Sequence, residues 1–234
     1  MKIDKPNVAF FDFASCEGCQ VELTNLGDPI FLELLKHINL VEFREVMSEK
    51  TQDKIDIACI EGAFTREQDR ERLLDIRERS DLVIAYGQCA VSGGITALKN
   101  RQSDYQQYVY LNNANKEHLA SDMAKPISSV IKVDYQVLGC PINKMEFLDI
   151  LSHLLHGKEP VIPNYPVCVE CKRNETVCLH QMGEKCLGMV TRAGCGAPCP
   201  ADGIVCDGCR GTFEDANLEM IDRDRLQLFN ANSE

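Results

Sequence analysis

The sequence predicts an α/β fold, in which a parallel sheet covered by helices is followed by a small, irregular, cysteine-rich domain. Three observations lead to this prediction. Short apolar runs alternate with amphipathic stretches, as in parallel sheets that are buried on both faces. The segment GKEPVIPNYPVC contains three prolines, so no helix can run through it. Beyond it, eight of the chain's 13 cysteines lie within residues 168–209.

Five segments of the first part read as strands, because each is a short run of apolar, β-branched and aromatic residues. They are residues 7–13, 40–46, 55–60, 81–86 and 132–138.

Three helices are predicted between and after these strands. One starts soon after Cys19 and continues through FLELLKHI, the second spans residues 66–79 and the third spans residues 143–155. Residues 100–127 are polar and weakly periodic, which predicts an irregular excursion. The stretch NLEMIDRDRLQLF near the end could form a short helix that docks back.

A domain boundary is predicted near residues 157–166, with a sheet domain over residues 1–160 and a C-terminal domain over residues 161–234. The second domain has little periodic apolar pattern. Metal ligation must therefore supply much of its folding free energy.

Composition narrows the classes of function. The net charge of −11 gives no basic surface for nucleic acid, and no apolar run approaches the length of a membrane span. The N-terminal residues do not read as a leader peptide, so we expect a cytoplasmic protein. In that reducing compartment, many cysteines indicate metal binding rather than disulfides.

Four cysteines follow predicted strands. Cys16 and Cys19 come after the first, Cys89 after the fourth and Cys140 after the fifth. Parallel strands end at one edge of the sheet, so these thiols should converge into the four-thiolate set of a [4Fe–4S] cluster. A thioredoxin-like dithiol at Cys16 and Cys19 is the alternative, but it leaves the other two unexplained. Cys59, inside a strand, is predicted to be core packing.

The remaining cysteines suffice for two further four-thiolate sites. They are Cys168, Cys171, Cys178, Cys186, Cys195, Cys199, Cys206 and Cys209. If the cysteines are assigned to clusters in chain order, which we call the sequential grouping, the first four belong to one cluster and the last four to the other. Structural zinc is the alternative, because zinc also takes four cysteines.

The motifs SCEGCQVEL, EGAF, YGQCAVSGG and LGCPIN resemble the small subunit of [NiFe] hydrogenases. The likeness covers residues 7–156 and favours the cytoplasmic branch of F420-non-reducing hydrogenases and sulfhydrogenase delta subunits. It implies a flavodoxin-like domain whose cluster, held by Cys16, Cys19, Cys89 and Cys140, lies beside a nickel–iron centre. That centre belongs to a separate large subunit.

The C-terminal pattern CLG-x-x-T-x-x-GCGA and the closing C-x-x-C resemble the same family. The resemblance implies two more clusters, medial and distal, and suggests another grouping, with Cys168, Cys171, Cys186 and Cys195 in the distal one. Periplasmic relatives use a histidine where this chain has Cys168, and often lack a fourth medial cysteine. A full thiolate set lowers the reduction potential, which suits a ferredoxin-like or flavin-containing acceptor subunit.

The predicted function is therefore the electron-transfer subunit of a [NiFe] hydrogenase with three [4Fe–4S] clusters. A complex I-like iron–sulfur subunit is the first alternative, although it typically has adjacent cysteines where this chain has C-x-x-C. A zinc-stabilised interaction protein is the second. Glu17 and Glu61, beside the first cysteines, are candidates for the interface with the large subunit or are simply solvated acids.

Overall fold

The computed structural model describes residues 5–101 and 121–221. Its centre is a five-stranded parallel sheet with the order β2-β1-β3-β4-β5, the doubly wound arrangement of flavodoxin-like folds. The predicted α/β fold is confirmed. The strands are β1 (Asn7–Asp12), β2 (Asn39–Phe43), β3 (Ile55–Glu61), β4 (Ser80–Tyr86) and β5 (Tyr135–Val137).

Helices follow the strands and continue into the C-terminal segment. They are α1 (Gly18–Thr24), α2 (Asp28–His37), α3 (Arg70–Arg79), α4 (Gln88–Ser92), α5 (Lys144–Leu155), α6 (Val167–Arg173) and α7 (Pro198–Ala201). Short 3₁₀ helices lie at Glu67–Asp69, Gly94–Arg101, Ile127–Ser129 and Leu218–Met220.

The prediction of one continuous helix from Cys19 to FLELLKHI is wrong. The chain breaks at Gly27, whose φ of 85° lies outside the helical region. Pro29 then occupies the first turn of α2, where the missing N–H of proline costs no hydrogen bond. The break separates α1, which carries a predicted cluster ligand, from α2, which covers the sheet.

Both faces of the sheet are buried, since neighbouring residues of each strand belong to different cores. Phe10 packs with Phe43 at 4.6 Å between ring centroids and faces α5. Phe11 lies on the opposite face with Leu73 and Ile76 of α3. Burial on both faces explains why these strands read as continuous apolar runs rather than as alternating patterns.

The C-terminal segment contains no strand among its described residues, in agreement with its lack of periodic pattern. Residues 158–165 contain neither helix nor strand, at the place where the domain boundary is predicted. Most of the predicted 100–127 excursion, and most of the predicted terminal helix, lie outside the described residues. Within the described ranges, no helix has the length and apolarity needed to cross a membrane.

A partly buried ion pair fixes β5 beside β4. The Asp134 carboxylate accepts from Arg77 at 2.6 Å, from the backbone N–H of Val83 at 2.9 Å, and pairs with Lys132 at 2.8 Å. We expect Asp134→Ala to leave Arg77 without its carboxylate partner and to destabilise the fold by about 2 kcal/mol. That corresponds to about 4–8 °C in the thermal midpoint of the anaerobic protein. Asp53→Ala, at an exposed position, is the control and should shift the midpoint by far less; equal shifts would contradict the assigned role.

Candidate metal centres

The carboxyl ends of four strands lie side by side. Asp12 of β1 pairs with Glu61 of β3, which pairs with Tyr86 of β4, which in turn pairs with Val137 of β5. The loops that leave this row therefore start from one edge. These loops carry the four cysteines that the sequence assigns to the first site.

The structure brings these four cysteines together. Burial, the Glu61 carboxylate and then the thiols of Cys89 and Cys140 raise the pKa of the Cys19 thiol. Burial and the Cys89, Cys209 and Cys16 thiols raise the pKa of Cys140 to about 11. Each of the four is thus an electrostatic neighbour of others in the set. Buried thiolates this close repel one another, so the set suits a positively charged iron group that neutralises them.

Two glycines lie close to these thiols. A Cβ added at Gly87 would lie 2.5 Å from the Cys19 sulfur, and one at Gly18 would lie 3.3 Å from the Cys16 sulfur. The two thiols can therefore keep their positions only because Gly87 and Gly18 have no side chain. This fit, together with the all-thiol donor set, matches the requirements of a [4Fe–4S] group.

Glu61 holds the loop that carries Cys19. Its side chain is 1 % exposed, and its carboxylate accepts from the backbone N–H groups of Cys19 at 3.2 Å and Gln20 at 3.1 Å. Burial raises the pKa of this carboxyl, and the two N–H donors oppose that effect. Glu61 therefore acts inside the chain rather than as a solvated acid. Glu17 is partly exposed and pairs with Arg44 at 3.4 Å, so it alone of the two reaches the surface.

A second group of cysteines lines a cavity of about 740 Å³ next to the first site. This second group consists of Cys195, Cys199, Cys206 and Cys209. Cys140 of the first group lines the same cavity. After burial and the Cys89 thiol, the Cys209 thiol raises the pKa of Cys140, and burial is the main cause that raises the pKa of Cys209 itself. The first and second groups are therefore neighbours that share one cavity.

A third group forms around α6. After burial, the thiols of Cys171, Cys186 and Cys178 raise the pKa of the Cys168 thiol. A Cβ added at Gly188 would lie 3.6 Å from the sulfurs of both Cys168 and Cys186. The neighbours of Cys178 favour the sequential grouping. Cys195, which the alternative grouping would add here, packs in one small cluster with Cys171 and Cys186, so its contacts fit either grouping.

The second and third groups also touch. The backbone N–H of Cys206 donates to the Cys186 sulfur at 3.3 Å. Glu170, inside the C-V-E-C motif, accepts from the N–H groups of Gly194 at 2.8 Å and Gly196 at 3.1 Å and so holds the loop on both sides of Cys195. Sequence reasoning missed Glu170; its only signal is an acid placed between two cysteines.

The residues that the sequence left outside the sites are placed as follows. Cys59 is fully buried in the core, as predicted. His180 is exposed. In the ranges that the structure describes, no three His, Cys, Asp or Glu side chains are close enough to hold one metal ion. A [4Fe–4S] cube binds each thiolate on a different iron, so it needs a wider set of ligands.

Known proteins resemble this chain over most of its length. The delta subunit of sulfhydrogenase 2 from Pyrococcus furiosus is 38% identical over 209 residues, which cover 89% of this chain and 87% of the relative. A subunit of the F420-non-reducing hydrogenase vhu from Methanocaldococcus jannaschii is 35% identical, over 91% of this chain and 84% of the relative.

A solved structure shares the fold. An actinobacterial-type NiFe-hydrogenase from Ralstonia eutropha H16 superposes with a TM-score of 0.66 at 16% identity, over 99% of this chain and 87% of that one. Residues 16–154 match the model of the family described as NADH ubiquinone oxidoreductase, 20 Kd subunit. The chain therefore belongs to that family, and within it to the hydrogenase small subunits of the sulfhydrogenase delta and F420-non-reducing type.

Proposed function

We propose that this hydrogenase subunit conducts electrons between the nickel–iron centre of a separate large subunit and an external acceptor. Three [4Fe–4S] clusters would form the path. The ligands we assign are the first group (Cys16, Cys19, Cys89, Cys140), the second group (Cys195, Cys199, Cys206, Cys209) and the third group (Cys168, Cys171, Cys178, Cys186). When bound, each cluster supplies one reversible electron transfer.

The adjacency of the three groups is the observation that carries this proposal. Cys140 of the first group lines the same cavity as the second group. The second group touches the third through Cys206 and Cys186. A series of adjacent sites suits a path for electrons. Structural metals would need no such contact between one site and the next.

The chain's own residues fix the backbone at these sites and keep water from some of their thiols. Glu61 and Glu170 hold the backbone beside ligands from the first and second groups. Cys19, Cys89 and Cys206 are buried, which lowers the dielectric around the thiolates. Rigid, dry surroundings reduce the reorganisation that accompanies a change of charge.

An exposed apolar surface beside the first group suits the large subunit. Ile95, Leu98 and Met145 are exposed and line the cavity that contains Cys140. Exposed apolar side chains that cluster beside a site are typical of protein interfaces. We place the large subunit here, where it would cover the first group.

The third group offers the exit. Cys178 is exposed, and Val177 and Met182 beside it are 70% and 68% exposed. A ferredoxin-like or flavin-containing subunit would approach on this side. Many cysteines without disulfides are typical of a reducing compartment, and on this ground we propose a cytoplasmic location.

The family match also covers complex I-like subunits, and this is the second candidate function. The two relatives described above carry hydrogenase names, which favours the first. Hydrogen-dependent reduction of an artificial dye by the purified complex supports the hydrogenase role; quinone-dependent activity without hydrogen turnover would support the second candidate.

Metal analysis tests the number of clusters. The anaerobically purified protein should contain about twelve irons and about twelve sulfides, because three cubanes hold four of each. Zinc should be near zero. About four irons with about two zincs would overturn the path of three clusters and would favour structural zinc in the C-terminal segment.

A further inference from the structure

Arg210 is the largest of the fully buried side chains in the described ranges, at 1% exposure. A buried guanidinium costs several kcal/mol unless it is paired and hydrogen-bonded. Arg210 follows Cys209 directly, so the chain accepts this cost beside a proposed cluster ligand. No sequence motif marks this arginine.

The guanidinium joins the two parts of the chain. On the sheet side, Nη1 donates to the Leu138 carbonyl at 2.7 Å and Nη2 donates to Glu146 Oε1 at 2.7 Å. On the C-terminal side, Nε donates to the carbonyls of Arg192 at 3.2 Å and Ala193 at 3.0 Å. One planar guanidinium thus donates to four acceptors. A lysine ammonium group has fewer N–H donors and could not make the same contacts.

These contacts lie where the first and second groups meet. Leu138 is two residues before Cys140, and Ala193 is two residues before Cys195. Arg210 also lines the cavity that holds Cys195, Cys199, Cys206 and Cys209. Its buried charge therefore favours negative charge at the second group, in surroundings where water screens little of the effect.

We propose that Arg210 is a positioning residue that fixes the second group against the first and whose buried charge raises the reduction potential of the cluster held by the second group. Reduction adds one negative charge to that cluster. A fixed cation nearby favours the reduced form. The inference rests on the proposed function.

Glu146, the ion-pair partner of Arg210, provides a second test of the proposal. The Glu146 carboxylate is mostly buried and has one oxygen on Arg210, while its other oxygen, Oε2, has no hydrogen-bond partner among the described residues. This carboxylate offsets part of the Arg210 charge. Neutralising Glu146 should therefore move the potential in the opposite direction from removing Arg210.

The experiment is an anaerobic redox titration of the whole complex, followed by electron paramagnetic resonance. The signal of the second cluster is identified as the one absent from Cys199→Ala. Arg210→Met should shift its potential to more negative values, Arg210→Lys should restore most of the shift, and Glu146→Gln should shift it to more positive values. Arg70→Met removes a guanidinium that contacts Glu67 and the Phe64 ring, and it should leave the potential unchanged.

Iron and sulfide content is measured for every variant. If the wild-type protein contains no iron at the second group, both this inference and the proposed function are wrong. Full iron content with an unmoved potential in Arg210→Met overturns the role of Arg210 alone. If Arg210→Met does not fold, Glu146→Gln decides, and a negative or absent shift in that variant contradicts the proposal.

Discussion

Cys140→Ala is expected to reduce hydrogen-dependent dye reduction by about 100-fold or more, because one iron of the proposed first cluster would then lack its protein ligand. Cys140 also lies next to the second group, since it lines the same cavity as Cys209. The loss should therefore interrupt the path at its first step. The measurement is dye reduction under hydrogen by the purified complex, with nickel content showing that the large subunit remains loaded.

Cys59→Ala is the matched control for that variant. Cys59 is also a buried cysteine of the sheet domain, but it lies inside β3 and packs in the core. We expect its substitution to lower stability modestly through a small cavity and to leave dye reduction near the wild-type rate. Undiminished activity in Cys140→Ala, or an equal loss in both variants, would contradict the assignment of Cys140 to the first cluster.

Much of the fold could be predicted because both faces of the sheet are buried. Double burial produces the continuous apolar runs from which the strands were recognised. Boundaries were less accurate: β2 ends at Phe43, where residues 44–46 turn, and β5 has only three residues. The break at Gly27 was missed because apolar residues continue on both sides of it, while a single backbone angle ends the helix.

The first group could be predicted from its positions after the strands, since parallel topology brings strand ends together. The supporting residues could not. Glu61 binds backbone N–H groups more than 40 residues earlier, and Arg210 reaches Leu138 and Glu146 across 72 and 64 residues. Nothing local in the sequence distinguishes these charged residues from solvated ones. The grouping of the eight C-terminal cysteines likewise depends on contacts between loops, which spacing alone leaves open.

Gly87→Ala should lose the proposed first cluster, so that about four of the expected twelve or so irons are missing. The added Cβ would lie 2.5 Å from the Cys19 sulfur, well inside contact distance, so the thiol must rotate away from its ligand position. The backbone adds strain, since φ is 82° and ψ is 150° at Gly87, a conformation that costs other residues about 1–3 kcal/mol. Iron and sulfide analysis of the anaerobic protein measures the loss.

Gly27→Ala separates the effect of the contact between the added Cβ and the Cys19 sulfur from the effect of backbone strain. Gly27 precedes α2 as Gly87 precedes α4, and its φ of 85° and ψ of 144° are nearly the same. A Cβ at Gly27, however, has no atom within 4 Å. Both variants therefore carry the same backbone cost, and only Gly87→Ala displaces a thiol. We expect Gly27→Ala to keep its full iron content. Equal iron loss in the two would attribute the defect to backbone strain and remove Gly87 from the first site.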